Sequence, residues 1–427
     1  MHRADSFRMP RYYRLAGIPL VLFIASMTTL VWSYVEIKIV FLGLFLFAAL
    51  VDGLFTKTIR VYPRIIIFYL VITITGIVWA FIGMVNPGTY IVGITESVRL
   101  YAIWSAAFTL IYTLLRSQSS LQLIHRALVI AGILISLINF AGVIDQVGQF
   151  GLIPESVKEA LHQGVGIFDG YIQITSRNIG ALFLIAPYLL AVAIRADSPA
   201  AKSVSTKLSL ALCLILTVIS GRRALILVVA LTPFIIAVVS AISGNLGLIR
   251  AGARRLFVGY TILLVVTAGI VTTQPRFLPE FLYVQHIQDA FSAEDERTIQ
   301  KPFLIDGFKS SPIIGSGFGA TVGYLRSQDR PWTYELTYYQ LLFNSGLLGV
   351  AILSALLLGY SVFIARIFRK FKPESAIPFG LFIGVIALLI GANSNPYLGS
   401  FDLLFFVGMF PFLSTFRRGF ADNETGR

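Results

Sequence analysis

Leu336-Thr-Tyr-Tyr-Gln-Leu-Leu-Phe-Asn-Ser-Gly-Leu-Leu-Gly-Val-Ala-Ile-Leu-Ser-Ala-Leu-Leu-Leu-Gly-Tyr-Ser-Val-Phe-Ile-Ala365 carries no charge between Glu335 and Arg366. A bilayer core takes about 20 apolar residues per helical crossing, so this run reads as a membrane span. Similar runs fill the chain, at about 15–35, 37–54, 65–84, 98–115, 125–143, 178–195, 206–220, 224–243, 256–272, 376–393 and 401–416. With 56% hydrophobic and 13% charged residues, the composition excludes a soluble domain. The expected class is an all-α polytopic integral membrane protein with about 12 transmembrane helices, forming one membrane domain over residues 1–427.

Two polar excursions interrupt the runs. The shorter, residues 144–177, contains Pro154-Glu-Ser-Val-Lys-Glu-Ala-Leu-His162, which predicts a short interfacial helix. The larger, residues 272–336 between the ninth and tenth spans, is expected to fold back as a cap, with Phe303, Leu304 and Phe308 at helical spacing. Pro302 and Gly307 limit how regular that helix is expected to be.

A net charge of +13 would suggest nucleic acid in a soluble protein. Its distribution gives a different reason. With the N-terminus in the cytoplasm, 22 of the 34 Lys and Arg but only 6 of the 21 Asp and Glu fall inside. That asymmetry predicts cytoplasmic termini and two external loops. The first span follows four arginines but is too long for a signal h-region and offers no small-residue cleavage site, so it is expected to be retained.

The sequence lacks most known catalytic signatures. The four histidines are scattered, the single Cys213 lies within the seventh span, and there is no Asp-x-Asp, Walker or Gly-x-Ser-x-Gly motif. No cofactor or metal site is expected, although Glu294-Asp-Glu296 is either a divalent-cation cluster or a solvated loop surface. Gly315, Gly317 and Gly319 read as a turn that brings backbone close to a neighbour rather than as a phosphate cradle, because no strand precedes them.

Arg222 and Arg223 stand between two spans on the external side, where they either snorkel or bind a phosphate head group. Arg297 and Lys301 add positive charge on that side. Glu335, flanked by Tyr334, Tyr338 and Tyr339 at the mouth of the long span, is either a general base or an ordinary helix-start acid.

Ser310-Ser-Pro-Ile-Ile-Gly-Ser-Gly-Phe-Gly319 followed by Glu335-Leu-Thr-Tyr-Tyr-Gln-Leu-Leu-Phe-Asn-Ser-Gly-Leu-Leu-Gly349 resembles the C-terminal signature of the O-antigen polymerase and ligase superfamily. Ser220-Gly-Arg-Arg-Ala-Leu-Ile226 is similar to the family's Thr-Gly-Ser-Arg-Gly-Ala-Leu and puts Arg223 at its arginine position. Arg297 resembles the arginine that opens the helix of the large periplasmic loop. Ser176-Arg-Asn-Ile-Gly-Ala181 is a weaker echo of the Asn-x-x-Ala entrance to the sixth span and adds Arg177 and Asn178 as substrate-binding candidates. The chain departs from the ligases at Glu335 and Leu336, where they carry His-Asn.

The resemblance implies polymerisation of lipid-linked repeat units at the outer face of a bacterial inner membrane, for O-antigen, capsule or exopolysaccharide. The donor would be an undecaprenyl-diphosphate-linked oligosaccharide and the acceptor a sugar hydroxyl, with neither metal nor nucleotide sugar. Glu335, Arg223 and Arg297 would be catalytic; Arg222, Lys301, Arg177, Asn178, Tyr334 and Tyr338 would bind substrate. Membrane lipids, a chain-length regulator and a flippase are the partners implied, and nucleic acid is not. Two alternatives stay open: ligase-type transfer to another acceptor, and a lipid-linked oligosaccharide flippase or transporter.

Overall fold

Hydrocarbon offers no water to backbone N–H and C=O groups, so an uncharged run must satisfy its own by coiling into a helix. The computed structural model follows that rule over the residues it describes, which are 13–56, 62–115, 118–148, 150–168, 171–195, 198–244, 296–368, 376–394 and 396–417. In chain order the helices are α1 (Tyr13–Thr29), α2 (Val35–Thr56), α3 (Pro63–Val85), α4 (Ile91–Leu114), α5 (Gln118–Gly148), α6 (Glu155–Leu161), α7 (Arg177–Ile194), α8 (Val204–Ile219), α9 (Arg223–Ile242), α10 (Glu296–Ser310), α11 (Thr337–Phe368), α12 (Ala376–Gly391) and α13 (Phe401–Leu413). Seven of them, α2, α3, α4, α5, α7, α9 and α11, are long and apolar enough to cross a membrane. The helices α1, α8, α12 and α13 are apolar but shorter. The chain is a helical membrane protein. The span expected at 256–272 and the loop ahead of Glu296, with Glu294 and Asp295, lie outside the described residues.

Side-chain contacts fix which helix ends lie together. The C-terminal ends of α1 and α3 meet the N-terminal ends of α13 and α4 through Trp32–Asp402 and the loop at Ser316–Gly319. Arg222, just before α9, touches Ser176, just before α7. The opposite end is marked by Arg64, which donates to the Ser414 carbonyl at 3.0 Å and whose own carbonyl accepts from Tyr360 at 2.6 Å. The central α7 is buried almost throughout, and α12 packs along it. A Cβ at Gly384 would stand 2.8 Å from the Leu184 carbonyl, so the small residue permits the close approach of those two helices.

Three local features differ from the sequence reading. The loop over 144–177 holds the expected helix, α6, and also an antiparallel hairpin of β1 (Gly164–Phe168) and β2 (Tyr171–Thr175), which an all-α reading does not include. Two five-residue strands give too short an alternation to register as a pattern. The fourth helix begins at Ile91 rather than 98 and carries a π-helical turn at Arg99–Trp104, so Arg99 sits inside the helix. Pro302 does not interrupt α10.

The long uncharged run itself is two helices, broken at Gly346 (φ 58°, ψ −169°). The break frees carbonyls before it and amides after it, and the glycine-rich loop takes up both. Ser316 and Gly317 donate to the Phe343 and Asn344 carbonyls at 2.9 and 2.8 Å. Leu347 and Leu348 donate to the Pro312 and Ile313 carbonyls at 2.9 and 3.0 Å. Gly317 can do this because it lies at φ 83°, and a Cβ there would sit 2.1 Å from the Gly83 nitrogen of α3. The three-glycine loop is therefore a backbone plug, as the turn reading expects.

Candidate functional site

Helix α10 lies against the entry to α11 through a small core of Leu304, Ala320, Tyr334, Leu336 and Phe343. Tyr334 is fully buried there, and its oxygen accepts the Val322 N–H at 2.9 Å. Burial pushes its hydroxyl above the ordinary tyrosine pKa. This packing fixes the backbone of the next residue, Glu335, whose N–H donates to the buried Gln300 side chain at 3.0 Å.

The Glu335 carboxylate sits between two guanidiniums. Arg297 Nε donates to its Oε2 and Arg326 Nη2 to its Oε1, both at 2.9 Å. The carboxylate is only 15% exposed, while the arginines are 36% and 30% exposed. Glu335 precedes α11, which begins at Thr337, and its carboxylate partners come from the cap. A carboxylate has about four lone-pair sites. Among the described residues two donors reach this one, so capacity remains for a hydroxyl donor. Lys301, one turn along α10 from Arg297, lies 5.6 Å from the centre of the Tyr339 ring.

A second group surrounds the N-termini of α7 and α9. Arg222 donates to Tyr397 Oη at 2.9 Å and to the Ser176 carbonyl at 3.2 Å. Among the described residues no carboxylate pairs with it. Arg223 is the exposed first residue of α9. Asn178 is fully buried, and its oxygen accepts from Asn139 at 3.0 Å and Ser176 at 2.8 Å. Arg177 donates to His162 Nε2, and His162 Nδ1 in turn donates to the Glu159 carbonyl at 2.7 Å.

The structure thus bonds Arg297 to Glu335 and gathers Arg222, Arg177 and Asn178 around Ser176. Tyr338 links the groups, because its hydroxyl donates to the Leu389 carbonyl near the end of α12. There Gly391 packs on Phe183, whose ring lies 5.1 Å from that of Tyr397, the partner of Arg222. Sequence reasoning missed Arg326 and Tyr397, which carry no signal beyond their residue type. It also missed Lys38 and Asp402, fully buried and 2.6 Å apart. Their signal was charge at the edge of two apolar runs, Lys38 beside Glu36 and Asp402 alone.

An open cleft of about 320 Å³ lies between the α3–α4 turn, α10 and the glycine-rich loop. Its α10 residues, Phe303, Asp306, Gly307 and Ser310, occupy a different side of the helix from Arg297, Gln300 and Leu304. Among the described residues Asp306 is its only ionisable lining residue, so its lining offers no cation to an anionic ligand. Among the described residues no cluster of His, Cys, Asp and Glu is built to hold a metal ion. Comparison with protein-family models, curated proteins and solved structures finds no match.

Proposed function

We propose that the protein polymerises lipid-linked oligosaccharide repeat units by metal-independent glycosyl transfer at the outer face of the bacterial inner membrane. In this reading the acceptor sugar hydroxyl attacks the anomeric carbon of the donor glycan. The bond from that carbon to the undecaprenyl diphosphate oxygen breaks, and the hydroxyl proton passes to Glu335. Arginines on the same end of the bundle stabilise the charge that develops on the departing diphosphate.

The observation that carries the reading is the Arg297–Glu335–Arg326 arrangement at the junction of cap and α11. It puts a partly shielded carboxylate beside guanidiniums with several N–H donors each, which is what one proton acceptor and one diphosphate leaving group require. Arg222 and Arg223, at the N-terminus of α9, supply further charge where helix amides also favour an anion. The resemblance to the O-antigen polymerase and ligase superfamily supports the same roles. Glu335 in place of the ligases' histidine favours polymerase over ligase.

The remaining parts of the reading rest on charge and helix order. Arg64, Arg195, Lys202 and Lys207 lie at the end away from the cap, as cytoplasmic residues would. That supports cytoplasmic termini, an external cap and a total of about 12 spans. A transporter would hold several ionised groups near the midplane, whereas Lys38 and Asp402 are the fourth residue of α2 and the second of α13, leaving Arg99 within α4 as the exception. Incubating the purified protein with undecaprenyl-diphosphate-linked repeat units and resolving the products by size tests the proposal. A ladder of whole repeats supports it; substrate that stays monomeric with an active control polymerase alongside counts against it.

A further inference from the structure

Among the described residues, the non-glycine residues with positive φ are Trp32 at 65°, Tyr34 at 50° and His162 at 46°. Each such conformation is strained and persists only where the surroundings enforce it. All three belong to one patch. The turn of Trp32–Tyr34 rests on α6, with the Ser33 hydroxyl donating to the Ala160 carbonyl, and His162 caps that same helix. Trp32 is held from below, its N–H donating to Asp402 Oδ2 at 2.8 Å while Asp402 Oδ1 takes the buried Lys38 ammonium at 2.6 Å. The buried ion pair therefore anchors the backbone of a partly exposed indole.

A cation faces that indole. The Arg330 guanidinium lies 5.8 Å from the centre of the Trp32 ring and pairs with Glu96 at 3.4 Å, and Glu96 also accepts from Trp332 Nε1 at 3.2 Å. Arg177 donates to His162 Nε2, and His162 caps the helix on which the Trp32–Tyr34 turn rests, so Arg177 and Arg330 belong to the same patch. Among the described residues Arg177 pairs with no carboxylate. Arg177 and Arg330 thus stand in one patch with neutral or shared partners, beside an aromatic face.

We propose that Trp32, Arg177 and Arg330 form a subsite for a sugar that bears a carboxylate. The indole offers a flat apolar face to the C–H side of a pyranose ring, and the two guanidiniums take the planar carboxylate through their forks. A neutral sugar would use the ring and leave Arg177 without a carboxylate among the described residues. The subsite rests on the proposed glycan chemistry and adds to it the class of sugar recognised. It sits apart from Glu335, Arg297 and Arg326, so it positions glycan rather than reacting with it.

Binding to the purified full-length protein in detergent, by titration calorimetry, tests this without turnover. The probes are a β-1,4-linked hexaglucuronate, its neutral counterpart cellohexaose, and inorganic pyrophosphate. Hexaglucuronate is expected to bind saturably and at least tenfold more tightly than cellohexaose. Arg330→Gln, on a side chain 48% exposed, is expected to weaken it at least tenfold with the fold intact, and so is Arg177→Gln. Trp32→Leu should weaken it more than Trp32→Phe. Equal binding of the two hexasaccharides, absence of hexaglucuronate binding, or indifference to both arginine variants overturns the subsite. Arginine-dependent pyrophosphate binding without hexaglucuronate binding also overturns it and reassigns the pair to the carrier's phosphates. Acid-sugar binding in a protein that makes no polymer would sink the polymerase reading alone, and polymer made without acid-sugar binding would sink the subsite alone.

Discussion

Arg297 of the cap helix donates its Nε–H to Glu335 at 2.9 Å, so the cap and the entry to α11 are joined by the two residues best suited to chemistry there. Arg326 takes the other carboxylate oxygen. With the arginines about a third exposed, such pairs contribute only about 0–1 kcal/mol to folding. Charge placement, rather than stability, is what the arrangement supplies.

Arg297→Ala is accordingly expected to leave thermal unfolding within a few degrees of wild type while removing long polymer. Arg297→Lys should rescue poorly, since an ammonium lacks the planar fork. Polymer length on a gel, read beside an unfolding curve of the purified variant, checks both. A large loss of stability with proportionate loss of polymer would make Arg297 a structural strut instead.

Gly317→Ala is expected to disrupt the plug that satisfies the break at Gly346. The left-handed conformation alone costs an alanine about 1–2 kcal/mol. The 2.1 Å approach of its Cβ to the Gly83 backbone adds a clash that no rotamer relieves. Detergent-extracted variant protein should unfold at lower temperature than wild type, whereas Gly323→Ala, where a Cβ meets nothing closer than 3.5 Å, should not.

Asp402→Asn leaves the Lys38 ammonium buried without a counter-charge, which typically costs about 3–5 kcal/mol. The double change Lys38→Met with Asp402→Leu removes both charges and is expected to recover most of that loss. Unfolding midpoints of the two variants decide it. If the single change is as stable as wild type, Lys38 is solvated by some other group.

Much of the fold was legible because membrane helices must be uncharged over about 20 residues, and charge therefore marks their ends. Boundaries such as Ile219 and Arg223 fall where Gly221, Arg222 and Arg223 interrupt the apolar runs. The break at Gly346 was not legible, because a glycine within an apolar run is ordinary in membrane helices; only the docking of Pro312–Gly317 shows that this one is a hinge of backbone. For the candidate site, residue type and loop position singled out Arg297, Glu335 and Arg222, and the structure bonds the first two to each other. Their partners Arg326 and Tyr397 come from other segments, and no spacing rule connects residue 222 to residue 397.

The side on which the cap is proposed to lie rests on charge asymmetry and is open to labelling. In a Cys213→Ala background, single cysteines at Gln328, beside the cap, and at Lys202, at the opposite end, are both exposed. An impermeant maleimide added to cells with a permeabilised outer membrane should label Gln328→Cys and spare Lys202→Cys. The reverse pattern would turn the molecule over and remove the donor's diphosphate from the arginine side.

Turnover of Glu335→Gln on purified undecaprenyl-diphosphate-linked repeat units tests the central claim most directly. Glutamine preserves size and hydrogen bonding but not basicity, and a general base contributes about 10² to 10⁴ in rate. The account predicts a fall of about that size, with lipid-linked substrate still bound and the unfolding curve little changed. Turnover within twofold of wild type across the pH range would contradict it and leave Glu335 as a clamp between Arg297 and Arg326.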